Sequence, residues 1–223
     1  MSDRKCEHCC QPMDPASFHD QRFCTRQACY DDRQGVIKAP WEIASTFGVP
    51  PGWRGSYKTA ALMDFPKMDR LSDETGNLFI HGANGRGKTH LMAAIALDLA
   101  DGSGAPALLQ NEYRWIDAAD IFLELRESFR EKSKCSELEI VKRFTQGYSV
   151  LFIDDMFAEK TTDYTVPAIC QILRQREQYD RRTIITSNLS IGEIAPQSPR
   201  IASLLTGYED VELKGKDRRK DRQ

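Results

Sequence analysis

Eight residues, 82–89, constrain the fold of this 223-residue chain more than any other stretch. They fit the pattern G-x-x-x-x-G-K-[ST] in full, as Gly82, Ala83, Asn84, Gly85, Arg86, Gly87, Lys88 and Thr89. A short apolar run at 78–80 precedes the pattern, and the apolar residues of 88–100 recur at helical spacing. The pattern is meaningful where a strand enters the loop and a helix leaves it, so this context argues against a chance glycine turn.

The residue types of this loop predict that it binds phosphate groups. Glycines let backbone N–H groups turn inward, and the following helix adds the positive end of its dipole. We expect Lys88 to reach the β- and γ-phosphates of a nucleoside triphosphate and the Thr89 hydroxyl to bind Mg²⁺. The sequence therefore predicts a site for ATP and Mg²⁺.

Two further apolar runs lead into polar side chains. Residues 149–153 are followed by Asp154 and Asp155, and the run 183–186 is closely followed by Asn188. The carboxyl ends of adjacent parallel strands meet at one edge of a sheet, where ligands bind. We expect Asp154 to hold Mg²⁺, Asp155 to polarise the attacking water and Asn188 to orient that water. Taken alone, these residues also suit a solvated turn and a helix cap.

The chain beyond residue 76 alternates between strand and helix patterns. A further strand is predicted at about 107–116, and helices at 118–129, 136–144 and 164–179. The apolar stripes of the first two of these helices include Phe129 and Leu138. Alternating strands and helices predict an α/β fold with a doubly wound parallel sheet, which we assign to residues 76–223.

Five of the seven cysteines crowd the first 30 residues. Four of them have the spacing of a tetrahedral zinc site: Cys6, Cys9, Cys24 and Cys29. Other ligands would also suit the site, namely Cys10 in place of Cys9, and His8 or His19 in place of one thiolate. Unliganded reduced cysteines are the plainer alternative. Because the segment 1–34 has too few apolar residues for its own core, we predict a zinc-stapled module there. Residues 35–75 are interpreted as a linker that partly packs on the next domain.

Bulk composition excludes some classes of protein. The formal net charge of −2 gives no global attraction to nucleic acid, so any such binding must use local patches. No apolar run approaches the roughly 18 residues of a membrane span, and the first residues lack the apolar core of a signal peptide. We therefore expect a soluble, cytoplasmic protein.

These motifs resemble, in the correct order, those of the DnaC/DnaI/IstB group of AAA+ ATPases. Residues 77–91, with Thr-His-Leu after the lysine, resemble the Walker A region, and 151–159 resemble Walker B. Residues 183–190 resemble sensor 1, and 215–219 resemble sensor 2 of DnaI-like helicase loaders. The segment 48–51, Gly-Val-Pro-Pro, is similar to the one that precedes their ATPase core.

The resemblance implies an AAA+ fold, ATP with Mg²⁺, self-association through the AAA+ domain and single-stranded DNA binding. For DnaC and DnaI it implies ATP-dependent loading of a hexameric DnaB-type replicative helicase during replication initiation. It further implies that the N-terminal zinc module docks on that helicase. An IstB-like helper of a transposase is one alternative, and an ATP-switch adaptor with little hydrolysis is another.

The resemblance also assigns arginines. The group often has Arg-Ile-x-x-Arg before the last strand, and Leu204 stands here at the second arginine position. Arg200 remains as a candidate finger for a neighbouring subunit's ATP, and its plainer interpretation is a helix-surface residue. Arg219 is the candidate sensor arginine, and its plainer interpretation is part of a basic tail. The resemblance favours DNA contact by basic residues within 126–143, which are Arg126, Arg130, Lys132, Lys134, Lys142 and Arg143. Their interleaved glutamates are more typical of a solvated helical pair.

Overall fold

A five-stranded parallel sheet forms the centre of the protein. The computed structural model describes residues 44, 48–50, 76–102, 112–130, 135–158 and 165–217. The strands are β1 (Leu78–His81), β2 (Tyr113–Asp117), β3 (Val150–Met156), β4 (Arg182–Ser187) and β5 (Glu209–Glu212). They lie side by side in the order β2-β3-β4-β1-β5, and every neighbouring pair is parallel.

Helices cover both faces of this sheet. They are α1 (Lys88–Gly102), α2 (Ala118–Ser128), α3 (Glu137–Gln146), α4 (Thr165–Gln178), α5 (Ile191–Ile194) and α6 (Pro199–Leu205). One apolar core joins α1 to the sheet, and Ala44 and Val49 are buried in it. A second core on the opposite face packs α2, α3, α4 and α6 against the sheet. The predicted doubly wound α/β fold is confirmed.

The strand order determines which side chains meet at the carboxyl edge of the sheet. β4 lies between β1 and β3, although it follows both in sequence. His81, the last residue of β1, pairs with Ser187, the last residue of β4. Because all three strands run in the same direction, the loop after β1 and the polar ends of β3 and β4 lie next to one another. Among the described residues, none of the helices has the length and apolarity needed to span a bilayer.

Two residues of the apolar helical stripes prove to be exposed. Phe129 is 57% exposed because it caps the carboxyl end of α2, past the turns that face the sheet. Leu138 is also 57% exposed, in the first turn of α3, whose buried face begins at Ile140. The ends of two strands also differ from prediction, since β2 continues to Asp117 and β3 to Met156. The part of the predicted second strand before residue 112 lies outside the described residues.

Candidate functional site

The glycine loop joins β1 to α1 in a conformation that glycine adopts readily and other residues do not. Gly82 has a φ of 145° and Gly85 a φ of 76°. A Cβ on Gly82 would lie 2.5 Å from the carbonyl oxygen of Leu213, and one on Gly85 would overlap the carboxylate of Asp217. The Gly82 N–H donates to the carbonyl oxygen of Ser187 at 3.3 Å, which ties the loop to the end of β4. A side chain at Gly82 would therefore meet backbone, and at Gly85 the positive φ alone would strain any other residue.

Lys88 directs its ammonium group back into the loop. It is the first residue of α1 and is only 7% exposed. Its Nζ donates to the carbonyl oxygens of Gly82 and Ala83 at 2.8 and 3.2 Å. It also donates to Oδ1 of Asn188 at 2.7 Å. A positive charge is thereby held inside a loop whose N–H groups already favour anions.

Thr89 and Asp154 face each other across the same edge. The Thr89 hydroxyl donates to Oδ1 of Asp154 at 3.0 Å, and the Thr186 hydroxyl donates to the same oxygen at 2.5 Å. Burial raises the pKa of Asp154, and the hydrogen bonds from Thr186 and Thr89 partly offset this rise. The hydroxyl of the residue after the loop lysine thus lies beside a carboxylate from β3.

Asn188 links the loop lysine to the second carboxylate. Its Nδ2 donates to Oδ1 of Asp155 at 2.9 Å, while its Oδ1 accepts the bond from Lys88. This amide orientation is chemically consistent, because an ammonium can only donate and a carboxylate can only accept. Lys88, Asn188 and Asp155 therefore form a continuous hydrogen-bonded chain from the start of α1, past the end of β4, to β3.

This cluster fits a nucleotide phosphate chain with Mg²⁺. The ammonium of Lys88 and the amino end of α1 attract anions, and the oxygens of Thr89 and Asp154 are of the type that Mg²⁺ prefers. Within the described ranges there is no group of three or more His, Cys, Asp or Glu residues that could hold a metal ion. Mg²⁺ at phosphate sites does not require such a cage, since one or two carboxylates combine with phosphate oxygens and water.

Several predicted site residues lie outside this cluster. Arg200 is exposed on α6 and lines a cleft between α4 and α6, together with Arg174 and Leu204. Of the described residues, those that line the cleft include no member of the phosphate loop and neither carboxylate of β3. Arg219 lies outside the described residues. The same is true of the four predicted zinc ligands, Cys6, Cys9, Cys24 and Cys29.

The basic residues proposed for DNA contact are partly engaged within the domain. Nε of Arg126 donates to the carbonyl oxygen of Phe122, and Arg143 pairs with Glu124. Arg130 is 78% exposed and faces Glu127 at 3.5 Å, and Lys142 is exposed on α3. Lys132 and Lys134 lie outside the described residues. These pairings favour a solvated helical pair for the described part of this stretch.

The sequence patterns did not single out two residues that touch the site. Thr186 bonds to both residues of the acidic pair, accepting from the Asp155 N–H at 2.8 Å besides donating to Asp154. Its position two residues before Asn188 was the available signal, but a threonine near a strand end is also an ordinary β-branched strand residue. The carboxylate of Asp217 lies against Gly85, a contact that no local pattern predicts.

A glycine loop and an acidic strand end that flank the end of a central β4 strand define a P-loop nucleoside triphosphatase of the AAA+ class. Within that class, the family model for the bacterial DnaA ATPase domain matches residues 58–207. The match covers more than half of the chain, and the protein belongs to this family.

Individual relatives are distant. The chromosomal replication initiator protein DnaA of Rhizobium meliloti (strain 1021) is 25% identical over 142 residues, which is 63% of this chain and 27% of that protein. The similarity thus spans about a quarter of that relative's length.

Two solved structures share the fold. The crystal structure of the DnaC helicase loader superposes with a TM-score of 0.53 at 22% identity, covering 71% of this chain and 90% of that chain. The replication initiator DnaA bound to AMPPCP and single-stranded DNA gives a TM-score of 0.53 at 20% identity, covering 73% of this chain and 46% of that one. At these identities the two structures establish the AAA+ fold, in agreement with the resemblance to DnaC/DnaI-like proteins.

Proposed function

We propose that this protein is an ATPase that loads a hexameric DnaB-type replicative helicase onto single-stranded DNA during replication initiation. The observation that carries the ATPase part is the hydrogen-bonded chain from Lys88 through Asn188 to Asp155, with Thr89 and Asp154 beside it. Support for the loader part comes from the DnaC helicase loader, because the matched region is nearly all of that chain. The matched region is less than half of the DnaA chain that binds AMPPCP and single-stranded DNA.

Each residue of the cluster has a separate task in hydrolysis. The loop N–H groups and Lys88 bind and orient the phosphates, which places the γ-phosphate near Asn188. Asp155 accepts the proton of the attacking water, and Asn188 fixes the carboxylate that does so. Thr89 and Asp154 would hold Mg²⁺, which would neutralise charge on the phosphate oxygens. Binding and proton transfer are thereby assigned to neighbouring but different side chains.

Arginines from outside the cluster complete the proposal. Arg200 is exposed on α6 and free of the phosphate-loop cluster, so we assign it to the ATP of a neighbouring subunit in an AAA+ oligomer. Leu204, exposed in part on the same helix, replaces the arginine that the resemblance would favour for this task. Arg219 is proposed as the sensor arginine. The proximity of Asp217 to Gly85 supports this assignment, because Asp217 comes two residues before Arg219 and lies against the phosphate loop.

Replacing Asp154 with asparagine should raise the Mg²⁺ concentration needed for half-maximal ATP hydrolysis. We expect a rise of roughly ten- to a hundredfold, because an amide is a weaker ligand for Mg²⁺ than a carboxylate. The measurement is a Mg²⁺ titration of the hydrolysis rate at saturating ATP.

The matched control for this titration is Asp117→Asn. Asp117 pairs with Asp154 in the β2–β3 register and caps α2, a task that asparagine also performs. The control removes one negative charge from the same edge of the sheet, and we expect it to keep the Mg²⁺ requirement of the wild type. An equal rise in both variants would show that net charge, and not ligation by Asp154, sets the requirement.

Co-purification tests the loader function. The 223-residue protein should retain a hexameric DnaB-type helicase from the same organism in the presence of ATP. A Cys24→Ser, Cys29→Ser double variant should lose bound zinc, because it removes two of the proposed ligands. It should also lose the helicase, because the zinc module is proposed to dock on that partner. Cys135→Ser, a change at an exposed cysteine outside that module, should retain both.

Other outcomes of the same experiment favour the alternatives. A wild-type protein that retains no such helicase would remove the loader function, and retention of a transposase would favour the IstB-like helper. The DNA-stimulated hydrolysis rates of the wild type and of Lys88→Ala separate the third candidate. Equal rates in the presence of single-stranded DNA and partner would leave an ATP-switch adaptor.

A further inference from the structure

The end of β3 contains one more residue than the strand beside it. Ile153 pairs with Ile185 and Met156 pairs with Ser187, so β3 takes three residue steps where β4 takes two. This is a β-bulge, a feature that re-aims side chains and is frequent next to active sites. Asp155, within the bulge, has a φ of 54°, a left-handed conformation that Asp tolerates better than most residues.

The bulge explains how both carboxylates serve one site. In a regular strand, consecutive side chains point to opposite faces of the sheet. Here Asp154 accepts from Thr89 at 3.0 Å and Asp155 accepts from Asn188 at 2.9 Å. Thr89 and Asn188 are themselves joined to the same loop through Lys88, which precedes Thr89 and bonds to Asn188. Without the bulge, one of the two carboxylates would point away from the loop.

Thr186 is the β4 residue that faces the bulge. It lies between Ile185 and Ser187 and is 1% exposed. Its hydroxyl donates to Oδ1 of Asp154 at 2.5 Å and accepts the N–H of Asp155 at 2.8 Å. A hydroxyl can form both bonds at once, because it has a donor and two acceptor lone pairs. One side chain thus fixes both residues of the bulge.

We propose that Thr186 is a positioning residue that holds the β3 bulge in place and thereby aims Asp155 at the γ-phosphate side of the site. This inference rests on the proposed ATPase function and deepens it. The Thr186 hydroxyl bonds to Asp154 and to the N–H of Asp155, whereas Lys88 bonds to the carbonyl oxygens of the glycine loop. We therefore assign Thr186 to the hydrolytic step, through the acidic pair, and ATP capture to the loop.

Thr186→Val is the direct test, because valine has nearly the same shape and no hydroxyl. We expect kcat for ATP hydrolysis to fall roughly ten- to a hundredfold, as for a catalytic group displaced by a fraction of an ångström to one ångström. KM for ATP should stay within about threefold of the wild type, since loop contacts are unchanged. Thr186→Ser keeps the hydroxyl and should restore kcat to within about threefold of the wild type.

Two further variants separate positioning from a merely structural role. Thr183→Val changes a fully buried threonine of the same strand that accepts from Arg176, far from the acidic pair. It should lower the melting temperature and leave kcat within about threefold of the wild type. In an Asp155→Asn background, Thr186→Val should lower kcat by a further factor of less than about three. The reason is that the effects of replacing two residues that act as one unit are not additive.

Amide hydrogen exchange of Asp155, measured by NMR, supplies a readout that does not depend on hydrolysis. The exchange rate should rise about tenfold or more in Thr186→Val and stay near the wild-type value in Thr186→Ser. The reason is that the Asp155 N–H has two acceptors, and the Thr186 hydroxyl, at 2.8 Å, lies closer than Oδ1 of Asp154, at 3.1 Å. Wild-type kcat in Thr186→Val, or unchanged exchange at Asp155, would overturn the proposal. A wild type without Lys88-dependent hydrolysis would instead contradict the proposed function, and exchange alone would then decide whether Thr186 holds the bulge.

Discussion

Lys88→Ala is expected to reduce ATP hydrolysis by at least roughly a hundredfold, the scale on which an aligned charged donor contributes to a transition state. ATP affinity should fall about tenfold or more, because the variant removes the positive charge that the loop holds. The carbonyl oxygens of Gly82 and Ala83 and the amide oxygen of Asn188 would each lose a donor. Steady-state hydrolysis and equilibrium binding of a fluorescent ATP analogue measure the two effects.

Lys142→Ala is the matched control for this prediction. Lys142 is exposed on α3, so the same change of side chain and charge is made away from the loop. We expect its hydrolysis and ATP affinity to match the wild type. Equal losses in both variants would mean that overall charge governs ATP binding. If Lys88→Ala retained the ATP affinity of the wild type, the loop would not be the phosphate site.

The parts of the site that are local in sequence were predictable. The glycines at 82–87 and the helix that begins at Lys88 lie in one continuous stretch, and their geometry depends on little else. The apolar runs before Asp154 and Asn188 likewise predict buried strands with polar ends. A general rule, that parallel strands meet at their carboxyl ends, was then sufficient to expect these residues near one another.

The parts that depend on strand order and register were not predictable. Nothing in the spacing of the apolar runs places β4 between β1 and β3, yet that order puts Asn188 between Lys88 and Asp155. Strand periodicity would have sent Asp154 and Asp155 to opposite faces. Only the one-residue bulge against β4 brings both to the loop, and a bulge is a property of two strands together.

Arg176 is a second feature that local patterns conceal, since an arginine on a helix is usually exposed. It is fully buried on α4, and burial lowers its pKa to about 10, so the group remains charged at neutral pH. Each of its five N–H donors has an acceptor. These are the Thr183 hydroxyl and the carbonyl oxygens of Phe144, Tyr148, Ser149 and Arg182. The guanidinium thus joins the end of α3 to the beginnings of β3 and β4.

Arg176→Met should therefore destabilise the protein more than any surface change. The apolar side chain fits the buried position but leaves five acceptors without their donor, and each buried unsatisfied group costs about 1–3 kcal/mol. Allowing for water entry and relaxation, we expect a loss of roughly 3–5 kcal/mol in the free energy of unfolding. For a domain of this size, that loss lowers the melting temperature by roughly 6–20 °C. Urea unfolding and thermal circular dichroism measure both quantities.

Arg174→Met gives the comparison that isolates burial from charge. Arg174 lies on the same helix two residues earlier, and it is exposed, so its replacement should change the melting temperature by about 2 °C or less. Arg176→Lys should recover only part of the loss, because an ammonium has three donors and lacks the planar fork that reaches five acceptors. Equal melting temperatures for the two methionine variants would refute the role of Arg176. Because Arg176 bonds to the amino ends of β3 and β4, and the site lies at their carboxyl ends, folded Arg176→Met at low temperature should still bind ATP.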